Sequence, residues 1–70
     1  MNDLPQQIGC LVRKYRTDKK ISQEKLALLC NIDRSYLGRI ERGEVNITVI
    51  KLCEIASVLS ISPKDLLPDL

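Results

Sequence analysis

The chain has 70 residues, of which 44% are apolar and 29% charged, and its formal net charge is +2. That length admits one domain with a thin core, and that balance suits a folded domain rather than a disordered one. No apolar run reaches membrane-spanning length, and the opening MNDLPQQ lacks the basic-then-apolar order of a signal peptide, so a cytoplasmic protein is expected.

Tyr15 and Tyr36 are the only aromatics, so the core must be aliphatic. Three cysteines (Cys10, Cys30 and Cys53) stand far apart in a chain without histidine. A structural zinc site needs four ligands, usually in close pairs, and this sequence offers none. Each cysteine falls within a helical apolar pattern, so all three are expected to be buried, reduced thiols acting as small hydrophobes. No metal or other cofactor is expected. The charge is unevenly spread: residues 13–42 hold nine basic and four acidic residues, the remainder two basic and five acidic. A basic segment inside an acidic frame suggests a polyanion partner, although solvated lysines explain any single charge equally well.

Periodicity predicts five short helices and no strand. The first starts near Asp3, tolerates Pro5 in its first turn, and buries Leu4, Ile8, Leu11, Val12 and Tyr15; Lys19 and Lys20 close it. The second caps at Ser22 and puts Leu26, Ala27, Leu29 and Cys30 on one face. Asn31 follows, a residue that tolerates the left-handed turn conformation. The third opens at Asp33, buries Leu37 and Ile40 with Ile32 packing as a staple, and ends at Gly43. The fourth caps at Thr48 and directs Val49, Leu52, Cys53, Ala56 and Leu59 inward. The fifth is short, capped by Ser62 with Pro63 at its first position, and packs Leu66 and Leu67.

The second and third helices, residues 23–42, form a helix-turn-helix pattern. Ala27 is small where the two helices cross, Asn31 fills the turn, and Ile32, Leu37 and Ile40 join the helices. Arg34, Ser35, Tyr36, Gly38, Arg39 and Arg42 are left on the outer face of the third helix. A hairpin that served only packing has no need of that polar, basic face.

On these residues the chain resembles the Cro and phage-repressor type of helix-turn-helix domain across roughly residues 8–67. The resemblance rests on Arg16 in VRKYR, Glu41 in GRIERG, Gln23 opening the second helix, and the closing ISPKDLL. It implies an all-α, compact five-helix bundle of the lambda-repressor-like DNA-binding type, in which Arg16 and Glu41 form a structural ion pair. Two positions depart from the pattern: Asn31 and Lys20 stand where the family often has glycine. Both can be accommodated, with strain on the order of 1 kcal/mol for a left-handed non-glycine residue. Within the family, NIDRSYLGRIERGEVNIT resembles the controller proteins of restriction–modification systems. That likeness implies a homodimer that binds inverted repeats upstream of its own gene and times endonuclease expression.

Arg34 and Arg39 are candidate base contacts, because arginine in the major groove can bond guanine O6 and N7 together; phosphate contact or solvation is the alternative for each. Ser35 can touch a base edge or a phosphate. Asp33 is read as the helix cap. Tyr36 is assigned to the DNA backbone, with burial as its alternative. Gln23 at the start of its helix, Arg42, Asn46, Thr48 and Lys25 are the other backbone candidates. Ile47, Ile50, Leu66 and Leu70 are candidates for a dimer interface in a dimerisation region at about residues 45–70. A single module buries little DNA surface, so duplication is expected.

The expected function is therefore that of a sequence-specific DNA-binding regulator acting on double-stranded DNA as a homodimer. A phage-type repressor or an antitoxin autorepressor would share these residues, and a protein-interaction module would share the fold without the basic face. RNA polymerase is a candidate partner through Glu24 or Glu44. An enzyme is not expected, since no nucleophile–base constellation is present.

Overall fold

The computed structural model describes residues 3–69. Helix α1 (Leu4–Asp18) is followed by α2 (Gln23–Leu29), α3 (Arg34–Glu41), α4 (Val49–Val58) and a 3-10 turn (Pro63–Leu66), with no strand among the described residues. Four α-helices replace the five expected. The closing segment PKDL makes a single 3-10 turn because Leu67 is extended (φ −108°, ψ 136°), the conformation that Pro68 imposes on the residue before it.

Helix α1 crosses α3 and touches the 3-10 turn, while α4 packs on that turn and on α2. Val12, Leu26, Leu37, Ile55, Ala56 and Leu66 have no exposed surface, and Ile8, Ala27, Cys30, Ile40, Leu52 and Leu59 complete the core. The contact of α1 with α3 is made backbone to backbone. A Cβ at Gly9 would collide with the Ile40 carbonyl and come within 2.6 Å of the Glu41 carbonyl oxygen, so glycine is required at that crossing.

All four α-helices end in the same way. A left-handed residue follows each: Lys20 (φ 59°), Asn31 (φ 60°), Gly43 (φ 75°) and Ser60 (φ 59°). The next residue then donates its N–H back across the last turn, Ile21 to Arg16, Ile32 to Ala27, Glu44 to Arg39 and Ile61 to Ala56, at 2.9–3.1 Å. This is the Schellman closure, which satisfies the orphan carbonyls at a helix end. Ile21, Ile32 and Ile61 pack half-buried against the core, the apolar contact that accompanies this closure. At the opposite ends, Ser22 Oγ accepts from Lys25 N (3.0 Å) and Thr48 Oγ1 from Lys51 N (3.1 Å). Asp33 occupies the cap position of α3 with extended backbone, but its side chain makes no capping bond.

Several burial expectations need correction. Cys10 and Cys53 are exposed, and only Cys30 is buried. Leu29 is 49% exposed and Val49 75%, whereas Ile55, absent from the expected stripe, is fully buried. In each helix the apolar run is wider than the face available, and packing selects only part of it. Leu66 is completely buried, so it cannot lie at an interface between intact domains. Leu70 lies outside the described residues.

Candidate nucleic-acid interface

Helix α3 is anchored from beneath. Leu37, Gly38, Ile40 and Glu41 are buried, which leaves Arg34, Ser35 and Arg39 exposed on the opposite side. Gly38 belongs to the buried set rather than to the outer face on which the periodicity placed it. The side chains of Arg42 and Gln23 lie over it: a Cβ there would sit 3.1 Å from Arg42 Nη1 and 3.9 Å from Gln23 Oε1.

An ion pair fixes the angle between α1 and α3. Arg16 Nε donates to Glu41 Oε2 at 2.7 Å, Nη2 to Oε1 at 3.1 Å, and Nη1 to the Ile21 carbonyl at 2.9 Å. Gln23 extends this network outward. Its Nε2 donates to Glu41 Oε1 at 2.9 Å, and its Oε1 accepts from Arg34 Nη1 at 3.5 Å. The chain of contacts therefore runs from a buried carboxylate to an arginine on the exposed face. Gln23 is committed inside the domain more fully than its assignment to the DNA backbone implied.

The remaining candidates surround this face. Lys25 on α2 is exposed, as are Asn46 and Thr48 in the segment joining α3 to α4, and Thr48 also caps α4. Tyr36 is half-buried: part of its ring packs against the core and part stays open beside Ser35 and Arg39. Arg42 is exposed but paired: its Nε donates to Glu44 Oε2 at 2.8 Å and its Nη2 to Oε1 at 3.4 Å. That bond is the main reason the Glu44 carboxyl lies below its ordinary range and the Arg42 guanidinium above its own.

One feature of this face was missed. A groove between the end of α2 and α3 is lined by Ala27, Leu28, Asn31, Ser35, Tyr36 and Arg39. Leu28, 70% exposed, supplies an apolar edge beside two of the candidate base contacts. The signal was available, since KLALLC holds more apolar residues than one helical face can bury. Among the described residues no group of three or more potential metal ligands occurs, and no helix is long and apolar enough to cross a membrane.

Ile47 is half-buried, while Ile50 is 75% exposed on α4 beside Val49. The dimer candidates thus separate into an exposed pair on α4, a partly covered Ile47 and a core residue, Leu66.

Comparison with known proteins agrees with this geometry. Residues 12–66 match the Helix-turn-helix family. The chain is 40% identical to the control protein C.BamHI of Bacillus amyloliquefaciens over 67 residues, covering 94% of this chain and 83% of the relative. It is 34% identical to the control protein C.MunI of a Mycoplasma species, covering all of this chain and 96% of the relative. The crystal structure of the restriction–modification controller protein C.AhdI from Aeromonas hydrophila superposes with a TM-score of 0.85 at 40% identity, covering 89% of this chain and 94% of that one. These relatives are regulators, not enzymes. The chain belongs to the helix-turn-helix family of DNA-binding transcriptional regulators and, within it, to the controller proteins of restriction–modification systems.

Proposed function

We propose that the protein acts as a homodimer on a pseudo-palindromic operator upstream of its own gene, where it controls its own transcription and that of an endonuclease. The observation that carries this reading is the two-sided construction of α3. Its inner residues are locked to α1 and α2, and its outer residues Arg34, Ser35 and Arg39 are free to enter a major groove. Arg34 and Arg39 suit guanine, and Ser35 suits a base edge or phosphate between them. Arg42, Lys25, Asn46, Thr48 and Tyr36 border that face and suit phosphate contacts that set register.

The dimer interface falls on α4 within residues 45–70. Val49 and Ile50 form its exposed apolar centre and Ile47 its edge, while Leu66 supports it from the core. Two-fold symmetry then places half-sites about 34 Å apart. Activation would also need contact with RNA polymerase, for which Glu24 is an exposed carboxylate that joins none of the ion pairs among the described residues, whereas Glu44 is held by Arg42.

Footprinting on the DNA upstream of the gene, repeated with Arg34→Ala, tests the reading. Loss of preference at one base pair per half-site is expected. Weakening that is equal on all sequences would reassign Arg34 to phosphate. In sedimentation, Ile50→Glu is expected to yield folded monomers, and a tight dimer in that variant would move the interface elsewhere.

A further inference from the structure

We propose that Glu44 is a built-in competitor for DNA: its carboxylate holds Arg42 in the free protein, and Arg42 reaches a phosphate only by leaving it. The proposal rests on the reading of α3 as the DNA-facing helix. A carboxylate and a phosphate offer a guanidinium the same forked pair of acceptors, so one can stand in for the other. Arg42 makes that fork with Glu44, at 2.8 and 3.4 Å.

Three observations set this pair apart from an incidental surface contact. Its place is fixed, because Glu44 follows the left-handed Gly43 and its N–H is bonded to the Arg39 carbonyl at 2.9 Å. Its arginine lies over Gly38 beside Gln23, on the flank of the reading face rather than away from it. It is also open to solvent, with side chains 59% and 49% exposed, so it contributes little to holding the fold and is accessible to exchange. Arg39 also favours the charged form of Glu44, so the carboxylate serves two of the cations that would meet DNA.

The consequence falls on every duplex alike. Phosphate neutralisation supplies the sequence-independent part of binding, and each contact adds about 0.9 to the slope of log affinity against log salt. Glu44 cancels one such contact. It therefore sets the affinity scale and the salt dependence, and it leaves base preference to Arg34, Ser35 and Arg39.

The test is a salt titration of binding to two duplexes, one from upstream of the gene and one of random sequence, with the wild type, Glu44→Gln, Arg42→Gln and the double variant. Glu44→Gln is expected to bind both duplexes more tightly, with a slope steeper by about 0.9. That corresponds to about three- to fourfold more weakening between roughly 50 and 200 mM salt. The gain should vanish in the Arg42→Gln background, and base preference should not change. An unchanged slope in Glu44→Gln overturns the proposal, as does an equal gain with and without Arg42. If the wild type shows no salt-dependent binding to any duplex, the DNA reading fails and the proposal fails with it. Far-ultraviolet circular dichroism checks that all four proteins are folded.

Discussion

Arg16 and Glu41, 25 positions apart in sequence, meet at 2.7 Å with side chains only 11% and 3% exposed. Helix α1 and the last turn of α3 are thereby held in one orientation. A nearly buried charge that loses its partner is far more damaging than the pair is stabilising. Glu41→Ala is expected to lower stability by about 3–5 kcal/mol, because it strands both the Arg16 guanidinium and the Gln23 amide. Stability of small domains starts near the low end of roughly 5–15 kcal/mol, so the variant should be substantially unfolded at room temperature. The double variant Arg16→Met, Glu41→Leu should lose much less than the two single changes together. Urea midpoints read this directly, and a Glu41→Ala protein within about 1 kcal/mol of wild type would show that the pair does not hold the domain.

Three of the four helix ends put a side chain where glycine is easiest. The left-handed conformation costs an L-residue roughly 1–2 kcal/mol, partly offset because glycine loses more entropy on folding. Lys20→Gly and Ser60→Gly should each therefore raise stability by about 0.5–1 kcal/mol, or a few degrees in melting temperature for a domain of this size. Asn31→Gly should gain less, since asparagine already tolerates the conformation. Melting curves that fail to rise for both Lys20→Gly and Ser60→Gly would remove the strain from these positions.

The cysteines should divide by burial. Burial raises the Cys30 thiol above its ordinary value; Lys51 opposes this and Glu54 adds to it. A group whose folded value is raised favours the fold below its unfolded value and loses that contribution as pH rises through the folded one. Stability should thus decline above about pH 8.5, where the unfolded thiol ionises and the folded one does not. Cys30→Ala should flatten that part of the profile. Alkylation followed by mass spectrometry should modify Cys10 and Cys53 in the native protein, and Cys30 only on unfolding. Equal labelling of all three thiols would contradict the packing of α2 on α4.

Much of this molecule was legible in its residues. Ser22 and Thr48 mark helix starts because their side chains bond two N–H groups of local geometry, and Asn31 marks the turn because few residues accept its backbone. The Arg16–Glu41 pair came from family likeness, since no local rule joins residues so far apart in sequence. Burial along the apolar runs was less legible. Ile55 shares the helical stripe of Leu52, Ala56 and Leu59 and is buried with them, while Val49, at the first turn of α4, lies outside the face that packs on α2 and the 3-10 turn. Gly9 carried no sequence signal at all, because its reason is a carbonyl on another helix. The Arg42–Glu44 fork was likewise hidden by a charge count that assigned each residue separately.

The division of α3 into a locked side and an open side bears on how such a regulator changes over generations. Leu37, Gly38, Ile40 and Glu41 each answer to a neighbour on another element, and a change at any of them disturbs the frame. The side chains of Arg34, Ser35 and Arg39 answer to few: Arg34 has a 3.5 Å contact with Gln23, and Arg39 acts on Glu44 through charge alone. If these outward residues read the operator as proposed, a lineage could change its target by exchanging two or three of them without first acquiring spare stability. Gene copies that diverge in target would then keep one scaffold and differ mainly in the few letters it displays.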